Sequence, residues 1–331
     1  MRRRLDTLLK IVALGSIAAT FAPFAARVYW LVELTTHFRV QYLAAQIVLL
    51  LVFAGLRRPR WAVALTACAA INGWAAWPYL PAPWRVESDA VVAGTPIKVL
   101  TANLWYHTSS TGPLLDLVRH ESPDVVVLVE FTPQWDEAVG ELRSTYPYRV
   151  ESPAYRAAGV AVYSRYQLEN AKAFDLGSRT AIEAKVHGPD GPFTLLGVHL
   201  RSPTSRWYAH LRNQELKLLA QRVKDTAGPV MVTGDFNITP FSPYFADLLD
   251  ATGLKDTRYE RNFTPSWPTF VPFLAIPIDH FVVSREFHVV LQRQLPAFGS
   301  DHYAVLAELA LTPAAPSAPT ASVTTSTNGT E

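Results

Sequence analysis

Six stretches of this 331-residue chain set a polar side chain capable of chemistry against the end of an apolar, largely β-branched run. Asn103 follows Val99-Leu100-Thr101-Ala102, and Glu130 follows Val125-Val126-Val127-Leu128-Val129. His199 follows Leu195-Leu196-Gly197-Val198, while Gly234-Asp235-Phe236-Asn237 continues Val230-Met231-Val232-Thr233. Asp279 and His280 precede Phe281-Val282-Val283, and Asp301 and His302 open the last such run. Singly, each has an ordinary structural reading. Asn and Asp at strand ends cap helices or close turns, Glu130 is a solvated strand end, and His199 is a core histidine bonded to backbone. As a set they offer carboxylate and amide oxygens with two imidazoles and no cysteine. That is the donor chemistry of a hard divalent ion such as Mg²⁺, with Mn²⁺ as the alternative and zinc less suited. Such an ion neutralises phosphoryl oxygens and a leaving oxyanion, and a histidine oriented by a carboxylate takes a proton from water.

Those side chains require strands that end together. The sequence predicts strands over 97–102, 125–129, 159–163, 181–186, 193–199, 230–233, 280–283 and 303–310, and helices over 112–120, 133–143, 205–223 and 243–251. Strands outnumber helices about two to one, which favours two packed sheets with helices outside them. Arg201, Arg206 and Arg212 cluster after His199. Arg201 is near enough to that histidine in sequence to bind a phosphate, and a solvated helix face is an equal reading. The aromatic and proline-rich stretch from Pro265 to Phe270 suits a substrate-side loop or a packing loop. There is no internal repeat and no glycine-rich phosphate loop.

The first third is different material. Trp30, Trp61, Trp74, Trp77 and Trp84 all precede residue 85, and the only acidic residues before it are Asp6 and Glu33. Three apolar runs, about 8–26, 40–56 and 61–80, each approach the ~20 residues that cross a bilayer core. For the first run a cleavable signal peptide is the rival. Buried helices of a soluble protein would show a polar face, which these lack. Arg2, Arg3, Arg4 and Lys10 flank the first run, and Arg57, Arg58 and Arg60 fill the turn between the second and third. Both clusters are expected on the cytoplasmic side, so three spans deliver the rest of the chain outside. The expected organisation is therefore a membrane anchor over 1–84, a stiff proline-containing linker over 85–96, a catalytic domain over 97–311 and a disordered tail over 312–331. Arg85 to Leu311 carries 21 Lys+Arg against 25 Asp+Glu, a mildly acidic balance that attracts polyanions poorly. Cys68 is the single cysteine, so no intrachain disulfide and no thiolate zinc cluster can form.

From about Ile97 to Leu311 the chain resembles the endonuclease/exonuclease/phosphatase superfamily, with its DNase I-like fold. The motifs, in family order, are Thr-Ala-Asn-Leu with Asn103, Leu-Val-Glu with Glu130, Gly-Val-His-Leu with His199, Gly-Asp-Phe-Asn at 234–237, Pro-Ile-Asp-His with Asp279, and Ser-Asp-His at 300–302. Where many relatives carry Trp-Asn or Tyr-Asn, this chain has Ala102-Asn103. After the three transmembrane helices read from the apolar runs, the resemblance implies an α+β protein, a four-layer α/β/β/α sandwich with the site at one edge of the paired sheets. It also implies roles. Glu130 would be the principal metal ligand, with Asn103 beside it and Asp301 helping. His302, oriented by Asp279, would be the base or the phosphate partner. Asp235 and Asn237 would position water and phosphate, and His199 would bond a phosphate oxygen or assist the leaving group.

The expected protein is an Mg²⁺-dependent phosphoesterase of the cell (inner or plasma) membrane, multi-pass, with its catalytic domain on the extracytoplasmic side. Its partners would be the lipid bilayer and a phosphoester, either a lipid head group or a small molecule near the outer membrane face. An extracytoplasmic nuclease acting on nucleic acid is the alternative, and it needs a basic groove that the sequence does not display. A catalytically silent binding domain is the third reading, weakened by the complete set of landmarks.

Overall fold

The computed structural model of the chain describes residues 2–80, 94–108, 110–154 and 158–312. Most of the expected linker 85–96, and all but the first residue of the expected tail 312–331, lie outside the described residues.

The chain opens with α1 (Arg2–Phe21), a short α2 (Trp30–Leu34), α3 (Arg39–Gly55) and α4 (Pro59–Ala76). Among the described residues two helical segments, Arg3–Ala25 and Trp30–Gly55, are long and apolar enough to cross a membrane, where three were expected. The expected second span, 40–56, lengthens because the helical path starts at Trp30. The expected third, 61–80, becomes α4, whose apolar run is diluted by Arg60, Thr66, Asn72 and Gly73 and ends at Ala76. Packing joins α1, α3 and α4 around Ala13, Leu49, Phe53 and Leu65. Among these helices lies a buried polar knot. Arg39 donates to Asn72 Oδ1 (2.9 Å) and to the Thr20 carbonyl (3.1 Å), and Asn72 donates to Gln46 Oε1 and Thr20 Oγ1, each at 3.0 Å. Buried polar groups are costly unless partnered, and here each supplies another's partner. The outer surface is apolar, with Leu8, Ile11, Leu51 and Val63 exposed. At one end Arg58 reaches Asp6 at 3.4 Å. At the other, residues 27–41 and 77–79 meet the rest of the molecule: Arg27 pairs with Asp247 at 2.7 Å, and the Tyr79 ring packs edge-on to Phe241.

Beyond the helices the chain forms β1 (Ile97–Asn103), α5 (Gly112–Glu121), β2 (Val125–Val129), α6 (Pro133–Ala138), α7 (Leu142–Thr145), β3 (Tyr148–Ser152) and β4 (Val160–Ser164). There follow β5 (Leu168–Asp175), β6 (Thr180–Gly188), β7 (Gly191–His199), α8 (Arg206–Lys224), β8 (Val230–Asp235) and α9 (Pro243–Thr252). Four strands close it: β9 (Lys255–Asp256), β10 (Asp279–Val283), β11 (Phe287–Gln294) and β12 (Val305–Leu311). They make two six-stranded sheets, ordered β11-β12-β1-β2-β4-β3 and β5-β6-β7-β8-β10-β9. Alternation along the strands feeds separate cores. Val99, Val127, Val162, Leu195, Met231 and Phe281 pack between the sheets. Leu100, Val126 and Leu128 face Leu114, Val118 and Trp135 under α5 and α6. Leu196 and Val232 face Leu216, Leu219 and Phe245 under α8 and α9. The result is the expected α/β/β/α sandwich.

Two differences from the sequence reading have local causes. The helix expected over 133–143 breaks into α6 and α7, with Gly140 between them. Strands β3, β5, β9 and β11 were not foreseen; β3, β5 and β11 carry mixed polar and charged residues at or near sheet edges, where one face or one flank meets water.

The central strands deliver the site. β1 and β2 run parallel with Asn103 opposite Val129, and β7 and β8 run parallel with His199 opposite Asp235. Antiparallel β10 sets Asp279 on the other flank of Asp235. His199, Asp235 and Asp279 therefore form one row across three strands.

Candidate active site

Asp235 is the centre of the arrangement. Its Oδ2 accepts from Asn103 Nδ2 at 3.0 Å and Asn237 Nδ2 at 3.2 Å, and its Oδ1 accepts from the Asn237 amide at 2.8 Å. His199 Nε2 stands 3.6 Å from the same Oδ2, and His302 Nε2 stands 3.8 Å from it. Gly234 makes this position attainable: its φ is +135°, and a Cβ there would fall 1.9 Å from the Val198 carbonyl. The turn of Gly-Asp-Phe-Asn is thus a close strand approach that other residues cannot make.

Glu130 and Asn237 share an unusual backbone, with φ of 58° and 50°. Left-handed conformations in such residues cost about 1 kcal/mol or more and persist where the surroundings hold them. Glu130 is held by the Tyr106 amide, which donates to Oε2 at 2.9 Å, and by Asn103 Nδ2 at 3.3 Å from Oε1. Asn103 thus turns its amide nitrogen toward both carboxylates, while its Oδ1 takes the Trp105 amide at 2.9 Å.

His302 Nδ1 lies 2.8 Å from Asp279 Oδ2. Asp279 is in turn fixed by Ser266, whose hydroxyl accepts its amide at 3.1 Å, and the Ser300 hydroxyl ties the Ser-Asp-His turn to the Asn103 carbonyl at 2.7 Å. Burial works against a charged ring on His302, but the Asp279 charge and hydrogen bond outweigh it, with help from Asp235, and lift it to about 10. Asp235 is pushed up to about 8 by burial first and by neighbouring Asp279 second.

The donor set fits a divalent cation. Glu130, Asp235 and Asp279 are buried with half-buried Asp301 nearby, and the Oδ1 atoms of Asp279 and Asp301 are buried with no hydrogen-bond partner among the described residues. Orphaned carboxylate oxygens are costly in a folded interior and call for a cation. The trio whose atoms lie close enough to share an ion, within 4.8 Å of one another, is Asp235, Asp279 and His302. Glu130 and Asp301 line the same cavity. Asp301 is further oriented by Trp267, whose indole donates to Oδ2 at 3.1 Å.

The cavity over these groups measures about 650 Å³ and brings together Glu130, His199, Asp235, Asn237, Asp301 and His302, with Asn103 and Asp279 as supports behind. Arg201 is not among its lining residues. Its side chain bonds Ser178 at 3.2 and 2.9 Å and lies over the Tyr208 ring. Arg179 lines the cavity instead; nothing in Gly177-Ser178-Arg179 singles it out in the sequence. His280, adjacent to Asp279, points away and bonds the Ile238 carbonyl at 2.7 Å. Sequence reasoning also missed the wall that Trp30, Leu34, His37 and Phe38 contribute from the N-terminal third. The isolated acid Glu33 was the available signal for it.

Comparison with known proteins agrees with this architecture. The model of the Endonuclease/Exonuclease/phosphatase family matches residues 100–302. Comparison with curated proteins gives no match. Among solved structures, humanized D. rerio TDP2 is 16% identical with a TM-score of 0.55, over 65% of this chain and 98% of that one. The endonuclease/exonuclease/phosphatase from Beutenbergia cavernae is 22% identical with a TM-score of 0.53, over 65% of this chain and 72% of that one. The 3′ phosphatase NExo from Neisseria, bound to a product DNA hairpin, is 21% identical with a TM-score of 0.53, over 64% of this chain and 98% of that one. At these identities the likeness is one of fold.

Proposed function

The chain belongs to the endonuclease/exonuclease/phosphatase family, and from that premise we propose that it is a divalent-metal-dependent phosphoesterase acting on a lipid head group or small phosphoester at a membrane face. The observation that carries this is the row His199, Asp235 and Asp279 with His302 closing over it, every member buried, His199, Asp235 and His302 lining one cavity and Asp279 backing His302. Glu130 and Asp301, with Asp235 at the centre, would hold Mg²⁺ or Mn²⁺. When bound, the ion supplies positive charge against the phosphoryl oxygens and the leaving oxygen. Asp235, held by the Asn237 amide at 2.8 Å, positions the attacking water. His302, kept charged by Asp279, binds a phosphoryl oxygen through Nε2 and assists that attack; His199 offers a second imidazole to the same group. Asn237 holds Asp235 in register.

A cavity of about 650 Å³ is of the size that accepts a single small ligand or head group. Among the described residues that line it, Arg179 is the one arginine or lysine, which supports a small phosphoester over the basic track that nucleic acid requires. The exposed apolar flanks of the N-terminal helices support a multi-pass anchor in the cell membrane. The arginines at the end remote from the site support a cytoplasmic position for that end, and so an extracytoplasmic site. A reporter fused after Leu311 and active only in the cytoplasm would overturn this orientation.

The test offers purified full-length protein bis-p-nitrophenyl phosphate, choline or inositol phospholipids, and plasmid DNA, with Mg²⁺ or Mn²⁺. Phosphoester cleavage lost in Asp235→Ala and His302→Ala is expected. No cleavage, or equal activity in the variants, defeats the proposal, and preferential DNA cleavage moves the protein to the nuclease reading.

A further inference from the structure

The opening turns of the second long apolar helical segment have two unlike sides. Glu33 and His37, one helical turn apart, face the catalytic domain. Glu33 Oε2 pairs with Arg212 at 2.9 Å, with neither side chain more than 1% exposed, and Glu33 Oε1 accepts from the Ser242 hydroxyl at 2.7 Å. His37 Nδ1 lies 2.9 Å from Thr239 Oγ1, and Gln41 donates to the Ala275 carbonyl at 2.9 Å. Trp30, Leu34 and Phe38 recur at every fourth residue, so they share another face. That face lines the cavity that holds Glu130, Asp235 and His302.

Two details distinguish this from ordinary packing. Trp30, Leu34 and Phe38 stay only partly buried although Glu33, Thr36 and His37 between them are sealed, so the apolar face borders space rather than protein. And the clamp is tied to the site: Arg212, which holds Glu33, also donates to the Asn237 carbonyl at 2.9 Å. Trp267, Ile276 and Ile278 add further apolar lining. One cavity thus combines a floor of carboxylates and imidazoles with an apolar wall continuous with a helix whose outer surface is apolar.

We propose that Trp30, Leu34 and Phe38 form a specificity subsite for the hydrocarbon chain of a lipid phosphoester, whose phosphate is handled by the adjoining polar residues. The inference rests on the phosphoesterase reading above and deepens it, because a head group alone would leave this wall wet. Burial of apolar surface against the wall favours a substrate bearing a chain over its deacylated counterpart.

The experiment uses the full-length protein in detergent with Mg²⁺ or Mn²⁺. Its substrates are a glycerophospholipid with short acyl chains, kept below its micelle concentration, and the deacylated glycerol phosphodiester of the same head group. Wild type should favour the acylated ester in kcat/KM by about tenfold or more, mainly through KM, and Leu34→Ala and Phe38→Ala should drive that ratio toward one. A second measurement needs no variant: across monomeric esters of increasing chain length, kcat/KM of the wild type should rise with length. Equal cutting of both esters, a flat length series, or variants that slow both esters in the same proportion would overturn the subsite while leaving the phosphoesterase intact. Cleavage of neither ester nor of bis-p-nitrophenyl phosphate would overturn the phosphoesterase reading itself.

Discussion

His302 and Asp279 are joined at 2.8 Å through Nδ1 and Oδ2, which leaves Nε2 of the ring facing Asp235. The pair joins the first residue of β10 to the turn before β12, each pinned by a buried serine. Removing the ring with His302→Ala should lower kcat by about a hundredfold to ten-thousandfold with a smaller change in KM. Asp279→Asn should fall in the same direction, because an amide no longer favours the charged ring. Steady-state kinetics on bis-p-nitrophenyl phosphate decide it, and a change confined to KM would contradict the role.

Asn103 supports two carboxylates at once through one amide nitrogen. Asn103→Ala should therefore weaken metal binding by about ten- to a hundredfold, as loss of a supporting hydrogen bond does. Calorimetric titration of the protein with Mn²⁺ in the absence of substrate reads this directly. Unchanged affinity would show that Glu130 and Asp235 hold their geometry without it.

The buried pair of Glu33 and Arg212 should behave as a unit. Arg212→Met leaves an uncompensated buried carboxylate and should cost about 3–5 kcal/mol, visible as a lower melting temperature. The double variant Glu33→Met with Arg212→Met should recover much of that loss, since the two charges cost more to bury singly than to replace together. If both single variants and the double variant melt alike, the link is not a structural clamp.

In metal-free protein, stability should decline as pH rises. Asp235, with an ordinary value of 3.8, is raised to about 8, and His302, ordinarily 6.5, to about 10. Both groups bind protons more tightly when folded, so their contributions are complete below the unfolded values and lost as pH climbs through the folded ones. The melting temperature in chelator should accordingly fall between about pH 6 and 9. A saturating divalent ion should flatten or reverse the trend, because it competes with those protons. A chelated protein that grows more stable over this range would refute the assignment.

Much of the site was legible because strand ends carry it. Five β-branched or aliphatic residues before Glu130, and a similar run before Gly234-Asp235-Phe236-Asn237, announced both the strands and the side chains they present. What stayed hidden were relations that no local pattern encodes. Arg201 follows His199 by two residues, yet its guanidinium turns to Ser178, and Arg179, from the turn before β6, takes the place beside the cavity. Edge strands such as β5, with Glu169, Lys172 and Asp175, lack the apolar signature because edges meet solvent. The third apolar run shows the limit of hydropathy by window: Asn72 sits fully buried in α4 because Arg39, Gln46 and Thr20 come from other helices to meet it.

The placement of β12 bears on how the molecule is made. It is the last strand among the described residues, yet it lies inside its sheet, between β11 and β1, and the turn that leads into it carries Ser300, Asp301 and His302. Synthesis must therefore pass beyond Leu311 before β1 gains this neighbour, and beyond His302 before the site gains its second imidazole. Until then the emerging chain holds no assembled centre. Stalled chains ending before Ser300 should show no activity even when the N-terminal helices are already in place, and activity in them would disprove this order of assembly.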